Sequence, residues 1–377
     1  MTDQTTNEGL ENVIVAETRR SYIDGDAGEL IIGGYPLAEL AEHATFEETV
    51  FLLWNDRLPN ADELASFRAD LAASRDLSDA TLDLLRAAAA DDADPMDALR
   101  MGVAAATIGH DTDGSEEEAR LLVAQLPTIV AAYWRLRNGD EPVAPDDDLS
   151  HAANYLYMLT GEEPTDAETR GLETYLNSVV DHGLNASTFS GRAIVSTETD
   201  LVSAITGAVG ALKGPLHGGA PGPVLDMLLD IHDSGDTEAY VEEKLDAGER
   251  IMGFGHRVYN VRDPRAAVLS SAAESFYESG GEREFFETAK TVETTTTDLL
   301  AERRPDLSLA TNVEFYTAVL LHGIGIPSEL FTTTFAIARV GGWTAHCLEQ
   351  LEDNRIIRPR STYVGERDRT WEPVEER

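Results

Sequence analysis

The chain has 377 residues, with 29 Lys plus Arg against 69 Asp plus Glu, a formal net charge of −40. No apolar run approaches the roughly 18 residues of a membrane span, and the single cysteine, Cys347, excludes an intrachain disulfide framework. So acidic a surface also argues against general nucleic-acid binding, which needs a basic face. The opening residues are polar and acidic, without a basic or apolar leader pattern, so a cytoplasmic location is expected.

Extreme charge often accompanies disorder, but the composition is 42% hydrophobic with 4 Trp, 11 Tyr and 11 Phe, enough to build a core. The length suits two domains. Lys213, Lys244 and Lys290 are the only lysines, so 26 of the 29 basic residues are arginine. An acidic, lysine-poor, folded chain resembles the cytosolic proteins of salt-accumulating archaea. At molar salt the Debye length falls to about 3 Å and self-repulsion is screened.

In chain order, the first signals are strand-like: Val13–Ala16 and Leu30–Ile32 flank Asp24-Gly25, which reads as a hairpin. Helical patterns follow almost throughout. They lie near 37–56, after Asn60 and Glu63 (a capping-box pair ahead of Leu64, Phe67 and Leu71), and near 79–91, 95–108 and 118–137. Thr165 and Glu168 repeat the capping logic ahead of Leu172, Tyr175 and Val179. Further helices are expected near 199–212, 237–248, 282–303 and 328–352, with acidic loops at 110–118 and 139–148. Three glycine-rich interruptions break this pattern, each holding a histidine: Asp181–Asn185, Lys213–Pro223 and Gly253–Arg257. Glycine permits positive φ and lets a ligand approach backbone closely.

These interruptions carry a family resemblance. Lys213–Ala220 reads KGPLHGGA, Gly253–Tyr259 reads GFGHRVY with Asp263-Pro264-Arg265 behind it, and Asn312–Tyr316 reads NVEFY. Together they resemble citrate synthase. Ile14–Tyr35, Phe335–Trp343 and Arg355–Gly365 are similar to the family's opening and closing segments, so the likeness covers nearly the whole chain. It implies a mainly α fold with a large domain (1–217 and 316–377) and a small inserted domain (218–315), assembled as a homodimer. It implies no metal and no permanently bound cofactor.

Condensing a thioester with a 2-oxo acid requires removal of a weakly acidic α-proton, stabilisation of the enolate, polarisation of the ketone and a hold on two carboxylates. A carboxylate base, oxyanion donors and arginines meet those needs. By resemblance, His217 donates to the thioester carbonyl as a neutral imidazole, helped by a helix N-terminus after Pro221. His256 polarises the oxaloacetate ketone, and His182 positions the substrate. Arg265, Arg339 and Arg358 clamp carboxylates; Arg358 reaches the partner subunit's site and has a rival in Arg360. Coenzyme A, the thioester carrier, is expected on Arg250–Gly255, including Gly253, Phe254 and Gly255, with Arg257 and Arg262 as phosphate partners. Glu314 stands where the family motif has aspartate. It keeps the chemistry of the base but adds a methylene, which moves the carboxylate by about 1 Å.

The expected activity is condensation of acetyl-CoA, oxaloacetate and water to citrate and CoA. The nearest alternative is 2-methylcitrate synthesis from propionyl-CoA; a second is a non-catalytic CoA- or dicarboxylate-binding regulator. His110, His151, His232 and His322 show no ligand spacing, Cys347 reads as a buried apolar residue, and 214–222 lacks the ending of a phosphate loop. The charge itself makes a testable claim: the thermal midpoint, followed by circular dichroism, should rise as KCl increases from about 0.1 M to molar concentrations. A midpoint indifferent to salt would remove the case for salt adaptation.

Overall fold

The structure, a computed structural model, describes residues 7–10, 13–218, 221–255, 259, 261–280, 282–303 and 309–377. Its only sheet among the described residues is a small antiparallel one, β1 (Ser21–Asp24), β2 (Glu29–Ile32) and β3 (Tyr35–Pro36), in that spatial order. Ser21 pairs with Ile32 and Asp24 with Glu29. The first strand therefore lies seven or eight residues after the expected Val13–Ala16. That stretch finds no pairing partner and leaves Ile14 91% exposed. The Asp24 carboxylate accepts from the amides of Asp26 and Ala27 at 3.0 and 2.8 Å, closing the turn that sets the register.

The rest is helical. Helices α1 (Leu37–His43), α2 (Phe46–Asn55), α3 (Ala61–Ala72), α4 (Asp79–Ala90), α5 (Pro95–Ala104) and α6 (Ser115–Arg137) come first in the chain. They are followed by α7 (His151–Thr160), α8 (Asp166–Val179), α9 (Ala186–Val195), α10 (Leu201–Leu212) and α11 (Pro221–Ser234). The last are α12 (Thr237–Asp246), α13 (Pro264–Ser279), α14 (Arg283–Arg303), α15 (Val313–Gly323) and α16 (Phe331–Glu352). The stretch expected as one helix over 37–56 is two, because Thr45 starts a new one. Its side chain accepts from Glu48 N while Glu48 accepts from Thr45 N. The boxes expected at Asn60/Glu63 and Thr165/Glu168 both form. A cap of this kind contributes about 1 kcal/mol. Helix α6 begins inside the expected 110–118 loop, where Glu116, Glu117 and Glu118 suit the positive end of the helix dipole.

Helix α16 is the centre of the fold. It packs against α2, α6, α8, α9 and α10. It is apolar or small on nearly every side, as a helix surrounded by others must be. Its polar groups, Arg339, Trp343, His346, Glu349 and Gln350, recur at i, i+4, i+7, i+10 and i+11, which places them on one face. Small residues bring that face close to the end of α8. A Cβ on Gly342 would meet the Val180 carbonyl oxygen and sit 2.8 Å from Asp181 Oδ1. Gly342→Ala should therefore overpack this contact, at a cost of about 1–3 kcal/mol in chemical denaturation, and should lower activity more than stability because Asp181 adjoins the site.

Candidate active site

His217 sits in the turn after α10 and is held from α9. Asn185 caps α9 by accepting from Thr188 N at 3.1 Å, which exposes the first amides of the helix. One of them, Ser187 N, donates to His217 Nε2 at 3.3 Å, and Ser187 Oγ is 2.8 Å from the same nitrogen. A backbone amide can only donate, so Nε2 carries no proton. The imidazole is neutral and presents Nδ1–H. Burial, then the charge of Arg339, lowers its pKa. The helix N-terminus that meets His217 is that of α9, delivered through Ser187. Trp343 Nε1 on α16 donates to Ser187 Oγ at 3.0 Å and fixes that hydroxyl.

Glu314 is the second residue of α15. Asn312 caps this helix, accepting from Glu314 N at 3.0 Å through Oδ1 and donating from Nδ2 to the Gly255 carbonyl at 2.8 Å. The Gly253–Gly255 segment is paired to the chain before α15 by Gly255 N to Ala310 O (2.8 Å) and Asn312 N to Gly253 O (2.9 Å). Gly253 and Gly255 both have φ of +82°, and a Cβ on either would press on Phe315 or Leu309. Phe254 packs edge-on to Phe315 at 5.6 Å. Three residues expected to carry coenzyme A are thus stitched to the helix that carries Glu314.

The Glu314 carboxylate is partly accessible yet surrounded by protein, and among the described residues no side chain hydrogen-bonds it. Burial pushes its pKa up to about 7, against the opposing pull of Arg265 and Arg339 and with a push from Asp263. Both arginines are buried. Arg265 is gripped by the N-cap of its own helix, with Nε 3.0 Å from Asp263 Oδ1 and a terminal nitrogen 2.8 Å from Oδ2. Arg339 donates Nε to the Val179 carbonyl at 2.7 Å and lies over the Phe335 ring at 4.6 Å. Burial lowers its pKa to about 10, which leaves it charged at neutral pH. Its terminal nitrogens donate to no described residue, the arrangement of a guanidinium kept for an anion.

His182 lies between buried Asp181 and Gly183, with Nε2 3.1 Å from the Tyr259 hydroxyl. Tyr259 also stacks beneath Arg265 at 5.9 Å. The structure therefore gathers His182, His217, Arg265, Glu314 and Arg339 into one cluster, in which His182 meets Tyr259 beside Arg265 and Arg339 acts electrostatically on both His217 and Glu314. Arg262 is on the rim, ion-paired with Glu293 at 3.0 Å and beside the Tyr316 ring. Arg358 and its rival Arg360 are exposed in the tail after α16. That tail is fixed to the far end of α9, where Ile357 N donates to Ser196 Oγ at 3.0 Å. Ser196 lies nine positions beyond Ser187, about 14 Å along the axis. His256 and Arg257 lie outside the described residues.

Sequence reasoning missed the supporting groups Asp263, Tyr259, Ser187 and Asn312, as well as Tyr175, whose buried hydroxyl is unpartnered in the same field of charge. Two were signalled: Asp263 before Pro264, and Asn312 two residues before Glu314, both have cap spacing. Cys347 is buried as expected, with its thiol pushed up to about 12 by burial. A cavity of about 570 Å³ between α1, α8 and α13 contains none of the expected site residues.

The family model for the citrate synthase C-terminal domain matches residues 9–360. The chain belongs to the citrate synthase family. It is 46% identical to citrate synthase of Haloferax volcanii over 98% of both chains. It is 40% identical to citrate synthase 2 of Bacillus subtilis over 99% of this chain and all of that one. Citrate synthase of Thermoplasma acidophilum, solved as a ternary complex with carboxymethyl coenzyme A and oxaloacetate, superposes with a TM-score of 0.88 at 30% identity, covering 99% of this chain and all of that one. A citrate/2-methylcitrate synthase of B. subtilis matches at 37% over 97% of this chain and 98% of that one. Membership of this citrate synthase family accounts for a fold with so little sheet and for the ordered motifs around the cluster.

The raised pKa has two consequences of opposite sign. If Glu314 is the base it must work ionised, so kcat/KM for the acyl thioester should fall tenfold per pH unit below about 7 and level off above it. Stability follows the protonated form: it is full below the ordinary carboxylate value and is lost as pH rises through about 7. Glu314→Gln should accordingly lower kcat by about 10²–10⁴-fold while raising the melting temperature at pH 8. A variant that loses both activity and stability would contradict this account.

Proposed function

We propose that this chain is a citrate-forming acyltransferase, condensing acetyl-CoA with oxaloacetate and hydrolysing the resulting citryl-CoA to citrate and CoA. The observation that supports it most directly is the presence in one cluster of Glu314, with burial pushing its pKa up to about 7, and a neutral His217 that carries its proton on Nδ1. Glu314 takes the α-proton of the acetyl group, and His217 donates to the thioester oxygen as negative charge develops there. The enol carbon attacks the oxaloacetate ketone. By family resemblance His256 hydrogen-bonds that ketone and protonates the alkoxide. His182, Arg265 and Arg339 hold the dicarboxylate, with Arg358, or its rival Arg360, arriving from the partner subunit of a homodimer. Its exposure at the far end of α9 fits a role outside its own subunit. Arg250–Gly255, Arg257 and Arg262 receive coenzyme A; Arg262 must then exchange Glu293 for a phosphate.

A small domain over 218–315 closing on 1–217 and 316–377 would assemble the two sides of this site and exclude water from the enolate. Water enters afterwards to hydrolyse the thioester. The relative bound to carboxymethyl coenzyme A and oxaloacetate supports the same pair of substrates here. The net charge of −40 supports work in concentrated salt, in the cytoplasm, with local arginines overcoming the repulsion of two anionic substrates.

The deciding measurement is oxaloacetate-dependent thiol release in high KCl, with acetyl-CoA and propionyl-CoA compared by kcat/KM. One methylene at an apolar pocket discriminates by about 1–3 kcal/mol, so a preference of roughly 10-fold or more for acetyl-CoA is expected. A preference for propionyl-CoA would make the protein a 2-methylcitrate synthase. No thiol release would leave a binding protein on the same fold.

A further inference from the structure

Below His182 lies a chain of buried polar groups that the reaction described above does not use. The Asp181 carboxylate is fully buried and holds the turn on both sides of His182. Its Oδ2 accepts from Gly183 N at 3.3 Å and from the hydroxyl of Ser21 on β1, while Gly183 N also reaches Ser21 Oγ at 3.0 Å. Its Oδ1 is 3.1 Å from His346 Nε2 on α16. The other nitrogen of that imidazole, Nδ1, is 3.1 Å from a terminal nitrogen of Arg192 on α9. Guanidinium only donates, so Nδ1 must be unprotonated and the proton of His346 sits on Nε2, pointing at Asp181. Arg192 is pinned in turn by Glu349 Oε2 at 2.7 Å and by Gln350 Oε1 at 3.2 Å. Arg192, His346, Asp181, Glu349 and Gln350 are each more than nine-tenths buried.

We propose that His346 is a positioning residue: set in its Nε2–H tautomer by Arg192, it orients Asp181 and through it the turn that aims His182 at the oxo-acid substrate. This rests on the reading of His182 as an oxaloacetate ligand. Packing alone does not account for the arrangement. An apolar side chain would fill the same volume beside Gly342 without a buried carboxylate or a directed proton, and buried polar groups are expensive unless fully paired. Here each member directs the next. Asp181 does not sit beneath His217, which is held separately by Ser187, so the effect should fall on one substrate and spare the other.

The test uses the full-length protein in high KCl. His346→Gln keeps a donor for Asp181 on a looser chain, and His346→Leu removes it. The double variant Asp181→Asn/His346→Leu removes donor and charge together, so no unpaired buried charge prejudices folding. In variants with cooperative melting, KM for oxaloacetate should rise about tenfold or more for His346→Leu and for the double variant. KM for acetyl-CoA should stay within about twofold, and His346→Gln should recover part of the loss. An unchanged oxaloacetate KM in folded variants, or an equal rise in both KM values, overturns the proposal. If the unsubstituted protein shows no oxaloacetate-dependent thiol release, the functional reading falls and this inference with it; if it turns over and only the split in KM is missing, this inference falls alone.

Discussion

A carboxylate that must accept a proton from carbon near neutral pH has to be kept from water without being neutralised by a permanent partner. In the reaction proposed above that constraint falls on Glu314, and the groups around it meet it. Burial raises its pKa, and two arginines stand close enough to oppose the rise. Were either to hydrogen-bond Glu314 directly, the base would be too weak. Each is instead held elsewhere: Arg265 by Asp263, and Arg339 by the Val179 carbonyl and the face of Phe335. The base is thus left in the field of the arginines but out of their grip, which is the condition for a carboxylate that is both ionisable and basic.

The same economy governs the histidines. A neutral imidazole has one donor and one acceptor, and the partner it is given decides which nitrogen is which. For His217 that partner is the N-terminal amide of α9, and for His346 it is Arg192, five residues further along the same helix. Both partners can only donate, so each ring carries its proton on the nitrogen away from that partner. Helix α16 supplies the other contacts from a single face, with Trp343 steadying Ser187 and His346 steadying Asp181. Helices α9 and α16, which approach closely where Gly191 meets Cys347, therefore supply the contacts that orient both histidines.

The excess acid is a property of the surface. Among the described residues the buried charged groups are five arginines (20, 75, 192, 265 and 339) and five carboxylates (47, 173, 181, 263 and 349), so the interior is balanced. Salt can then act on the outer charge without disturbing the buried pairs, which are poorly screened in any case. In the proposed reaction, substrate recognition would draw on the interior arginines, which lets an acidic protein bind two anions.

The helical class, two of the three capping boxes and the motifs around His217, Glu314 and Arg265 were legible in the sequence, because caps and glycine-rich turns are local devices read over three to ten residues. The first strand was not, because Val13–Ala16 and Ser21–Asp24 are both strand-compatible and the choice fell to the turn at Asp24. Nor were Asp181, Ser187 and His346 as partners: they lie 6 to 165 positions apart and meet only when α9 and α16 pack. Sequence by itself determined which groups this protein possesses, including a glutamate at position 314 where the resembling motif has aspartate. Only the tertiary structure decided their protonation. A residue's pKa and tautomer depend on who donates to it and how much water remains, and both are settled by contacts between segments distant in the chain.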